Sequence, residues 1–124
     1  MEYIPWVRTT YYICGIDHDK TIATIMQNFD HEVITYDAEK HGWRGVSNTK
    51  YTAVIRNFND DIIPQEDFYA LIDRSTQPIH TVQGPVFNPY IKIYIGCDKS
   101  MYELYGGDQS IRFSALLDDI SIIH

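Results

Sequence analysis

Ile22, Ile25, Met26 and Phe29 recur at helical spacing, which places four large apolar groups on one face of a helix. Asp17 or Asp19 stands where a side chain can cap its first N–H groups. A second, shorter helix is expected after Pro64. Gln65, Glu66 and Asp67 fill its first turn, and Phe68, Leu71 and Ile72 form its stripe. Elsewhere the pattern is that of strands. Residues 3–14 are rich in aromatic and β-branched side chains and read as a strand that ends at Gly15. Residues 32–36 alternate, residues 51–58 suit an interior strand, and residues 90–95 set Ile91, Ile93 and Ile95 against Tyr90, Lys92 and Tyr94.

Two segments read as loops. Residues 37–50 carry glycines and charges, with Trp43 and Val46 as their large apolar groups, and residues 75–89 hold three prolines and a glycine. Residues 101–105 and 110–117 flank Gly106-Gly107-Asp108, which reads as a hairpin turn. Residues 120–123 close the chain as a strand. Leu116, Leu117 and Ile120 also fit helical spacing, so residues 114–123 have a helical alternative, with strand preferred. The expected fold is α+β: a mainly antiparallel sheet of about five to seven strands packed by two short helices, in one domain spanning residues 1–124.

Length and composition agree with one domain, since the 124 residues are 44% apolar. No apolar run approaches the length needed to span a bilayer, and the N-terminus lacks the basic and apolar blocks of a signal peptide, so a cytoplasmic location is expected. Cys14 and Cys97 lie in strand-like surroundings without zinc-type spacing and are expected as free buried thiols, with a single disulfide as the alternative the sequence leaves open. A formal charge of −7, with no two basic residues adjacent, disfavours direct nucleic-acid binding. The same charge would speed encounter with a basic protein.

Candidate chemistry is sparse. His18-Asp19 is similar to the dyad of HD-type metal-dependent phosphohydrolases, but those need an upstream His that is absent here. Asp17, His18, His31 and His41 would have to converge in space to hold a metal. No nucleophile-elbow, phosphate-loop or dinucleotide motif occurs, and no cofactor or metal is expected. Trp43 and Arg44 stand between Gly42 and Gly45 in a polar stretch, next to His41, and are the residue types enriched at binding hot spots; all three join the expected binding set. Tyr102, Tyr105 and Asp108 near the second glycine turn complete the expected binding set.

The leading expectation is a small acidic binding protein, more a recognition module than an enzyme, for a protein partner with a basic surface. Bacterial immunity proteins and phage-encoded inhibitors share this size and charge, an analogy of class that rests on no motif. The alternatives are an oligomeric binder of a nucleotide-like or anionic metabolite, with a homodimer as one form, and a small metal-dependent hydrolase using Asp17 and His18 with His31 or His41.

Overall fold

A computed structural model describes residues 8–47, 49–73, 78–107 and 120–123, the last through their backbone alone. The elements are β1 (Thr9–Cys14), α1 (His18–Met26), β2 (Glu32–Val33), β3 (Thr35–Asp37), β4 (Gly42–Arg44), β5 (Thr52–Ile55), α2 (Gln65–Ile72), β6 (Pro78–Thr81), β7 (Gly84–Phe87), β8 (Lys92–Cys97), a 3-10 segment (Met101–Gly106) and β9 (Ile120–Ile123). The main sheet has the order β2-β5-β8-β1-β9, and every pairing in it is parallel. A smaller sheet has the order β3-β4-β6-β7.

The expected mainly antiparallel sheet is therefore overturned, although the α+β class stands. Parallel neighbours need a connection that carries the chain back to its starting end. Here α1 does so between β1 and β2, and α2 with the β6–β7 hairpin does so between β5 and β8. The hairpins β3–β4 and β6–β7 break the regular strand–helix alternation in sequence, which hid the parallel sheet. Both expected loops hold strands: β4 lies within residues 37–50, and β6 and β7 within residues 75–89. Pro85 is accommodated on the edge strand β7, and Pro78 as the first residue of β6. Residues 101–105 form no strand: the chain turns as a 3-10 segment from Met101 and kinks at Leu104 and Tyr105, whose dihedral angles are not helical. Residues 32–36 divide between the two sheets. The expected strand at 110–117 lies outside the described residues.

The main sheet is covered on both faces. Ile13 and Val54 pack with Ile22 of α1, and Ile25, Met26 and Tyr94 border that cluster. On the opposite face Tyr12, Ala53, Ile55, Ile93 and Ile95 meet Phe68, Tyr69, Leu71 and Ile72 of α2, together with Trp43 and Ile79 of the small sheet. Burial on both faces explains why β5 reads as a continuous apolar run. Gly42 lets β4 approach β6, since a Cβ there would lie 2.6 Å from the Thr81 carbonyl carbon. Buried Arg8 ties the chain together: Nε donates to the Tyr90 carbonyl at 2.6 Å, and the other guanidinium nitrogens reach the carbonyls of Asp73 and Asn88.

Candidate functional site

In an open parallel sheet the loops at the carboxyl ends of the strands form a crevice where adjacent connections diverge to opposite faces. β1 and β8 meet this condition. β1 leads into α1 on one face, whereas the segment after β8 buries Met101 and Leu104 in the cluster on the other. Gly15 follows β1 at φ +113°, a conformation that suits glycine and turns the chain sharply. Ile16 is then thrown out to 97% exposure, beside exposed Asp17.

His18 turns inward at the start of α1. Its Nε2 lies 3.0 Å from Oδ1 of exposed Asp98, the residue after β8. Its Nδ1 is buried without a hydrogen-bond partner and rests against Gly96. Asp19 accepts both Nε and a terminal nitrogen of Arg56, which follows β5, at 2.9 and 3.0 Å. Lys99 donates to Asp60 at 3.0 Å, and the Tyr105 backbone N–H donates to the same carboxylate at 2.8 Å. Burial pushes Asp60 up, but these two donors outweigh it and hold its carboxyl below the ordinary range.

Two shallow cavities adjoin this edge and share Asn57 and Asn59. One, of about 220 Å³, runs past Val33, Tyr36, Arg56 and Ile62. The other, of about 270 Å³, runs past Asp60, Asp61, Asp98 and Lys99. His18, Arg56 and Lys99 are each engaged by a carboxylate, and Asp17 and Asp61 add further negative charge. Such an edge attracts positive charge and repels phosphate.

The chain matches no protein-family model and has no significant match among curated proteins. The chemistry of this edge must therefore be read from its own atoms. A His–Asp pair acts as a base when the imidazole's other nitrogen faces a nucleophile or substrate proton. In this pair that nitrogen faces Gly96. His31 precedes β2, at the amino end of the parallel sheet, and exposed His41 caps the β3–β4 turn at φ +53°, so neither joins His18. Among the described residues no group of three or more His, Cys, Asp or Glu side chains is placed to hold a metal.

The expected binding residues are dispersed. Trp43 is fully buried in the main core, edge-on to Tyr36 at 5.3 Å, with its indole nitrogen unpartnered. It is an anchor between the sheets and presents no surface. Arg44 points outward and pairs with Asp37 at 2.5 Å. Tyr102 is 64% exposed beyond β8, near the acidic edge. Tyr105 is half-buried, and its hydroxyl donates to the Ile63 carbonyl at 2.9 Å. Asp108 lies outside the described residues. Ile16, Arg56, Asp60, Asp98 and Lys99 escaped the sequence reading. Their common signal is position within a few residues after an apolar strand, which has meaning only once the strands are known to run parallel. Among the described residues no helix is long and apolar enough to cross a membrane.

Proposed function

We propose that this protein is a recognition module that engages a macromolecule with a basic surface through the carboxyl edge of its main sheet. The observation that carries the reading is Ile16, almost wholly exposed on the loop that also bears Asp17. Exposed Ile62 and Tyr102 follow β5 and β8 at the same end. Apolar groups that a partner can desolvate supply affinity, and carboxylates around them speed encounter and reject acidic surfaces. Self-association through this edge would set carboxylates against carboxylates, so the partner is a different molecule. In an inhibitor or immunity-type role the edge would cover the partner's basic working surface.

The adjoining cavities favour a second reading, a small ligand seated at the β1/β8 crevice. The surrounding carboxylates suit a cationic or neutral ligand better than an anionic one.

The test compares native pull-downs by the wild type, by a doubly substituted Ile16→Asp, Tyr102→Ala variant, and by Tyr51→Ala. Tyr51 is exposed at the start of β5, at the opposite end of the sheet. The reading expects a salt-sensitive partner lost by the edge variant and kept by Tyr51→Ala. Equal retention by all three would overturn it. A small molecule retained by the wild type in native mass spectrometry, with no protein partner, would establish the second reading instead.

A further inference from the structure

Cys14 and Cys97 are the last residues of β1 and β8, and the register makes them direct partners across the two strands. Neighbouring strands stand about 4.8 Å apart. That falls inside the range of roughly 4.4–6.8 Å over which Cα atoms of a disulfide are found. Registered partners point to the same side of a sheet. Cys97 belongs to the core cluster of Tyr12 and Ile95, and Cys14 packs against that cluster. Both are reduced. We propose that Cys14 and Cys97 form a reversible intramolecular disulfide that clasps the two loops of the carboxyl edge. This inference requires neither a partner nor a ligand and stands independently of the recognition reading.

The oxidant is a small-molecule disulfide, and the step is thiol–disulfide exchange. Half-buried Cys14 loses its proton and attacks one sulfur of the reagent, expelling the first reagent thiolate and forming a mixed disulfide. Cys97 then loses its proton and attacks the Cys14 sulfur, expelling the second. The two protein thiols are oxidised to one S–S bond, and the reagent disulfide is reduced to two thiols that carry away both protons.

The order follows from placement. Cys97 is buried, its thiol donates to the Phe58 carbonyl at 3.4 Å, and burial pushes its pKa up, so it is the slower nucleophile and acts second. The bond would join the residue before Gly15-Ile16-Asp17 to the residue before Asp98, beneath the β1/β8 crevice.

The experiment equilibrates the reduced full chain with mixtures of oxidised and reduced glutathione. In the oxidising mixtures the monomer should lose about 2 Da, become resistant to alkylation at both cysteines, and yield a peptide linking Cys14 to Cys97. Reductant should reverse each change. The oxidised form should melt on the order of 10 °C higher, because the bond closes a long loop of the unfolded chain. Cys97→Ser should stop at a glutathione adduct on Cys14, and Cys14→Ser should stay unmodified. Continued alkylation of both thiols in the most oxidising mixture, or a bond that forms only between two molecules, would overturn the proposal.

Discussion

His18 occupies the space that Gly96 leaves on the neighbouring strand. A Cβ at position 96 would lie 2.9 Å from the His18 Nδ1 and 2.8 Å from the Arg56 carbonyl oxygen. The backbone oxygen cannot step aside, so Gly96→Ala should displace His18, separate it from Asp98 and cost about 1–3 kcal/mol in urea unfolding. The His18 imidazole resonances should shift with it. An unchanged midpoint and unchanged resonances would refute this packing.

Trp43 should behave as a core residue. Trp43→Ala is expected to cost about 3–5 kcal/mol. Trp43→Phe should cost distinctly less, on the order of 1–2 kcal/mol, because the indole nitrogen surrenders no hydrogen bond. Fluorescence quenching by iodide checks the same point, and ready quenching of Trp43 in a variant lacking Trp6 would contradict its burial.

Arg8 is buried, and burial lowers its pKa to about 10 despite nearby Asp73. Its guanidinium reaches backbone carbonyls of Asp73, Asn88 and Tyr90, a spread that one ammonium cannot cover. Arg8→Lys should therefore lose about 2–4 kcal/mol of stability, with hydrogen exchange rising first around residues 88–90. Wild-type stability in that variant would show that the fork is dispensable.

Asp60 has a folded pKa below its unfolded value, so protonation favours the unfolded chain. Its contribution is complete above about pH 5 and is lost as pH falls through the folded value, below about pH 4. The Asp60 hydrogen bond raises Lys99, so that contribution is complete below about pH 9 and fades as pH climbs through the raised value. The stability gap between wild type and Asp60→Asn should be level between about pH 5 and 9 and narrow in acid. A gap that stays constant down to about pH 2 would refute the assignment.

Much of the local structure was legible in the chain. The Ile22–Ile25–Met26 stripe forms α1, Pro64 opens α2, residues 9–14, 52–55 and 120–123 are strands within the expected spans, and the strand expected at 90–95 runs two residues later, at 92–97. Trp43 shows the limit. A Trp-Arg pair between glycines resembles an exposed hot spot, yet Gly42 is there to let the backbone close on Thr81 and carry the indole into the core.

Side-chain periodicity reports how an element meets its nearest layer, so the sequence by itself determined the two helices, the strands of the main sheet and the acidic, partly apolar composition. It carries no sign for strand direction, because alternation reads the same in parallel and antiparallel pairs. The tertiary structure alone decided that β1, β5 and β8 run the same way. That one choice gathers Ile16, Asp60, Asp98 and the residues after each strand at a single edge, and sets Cys14 opposite Cys97.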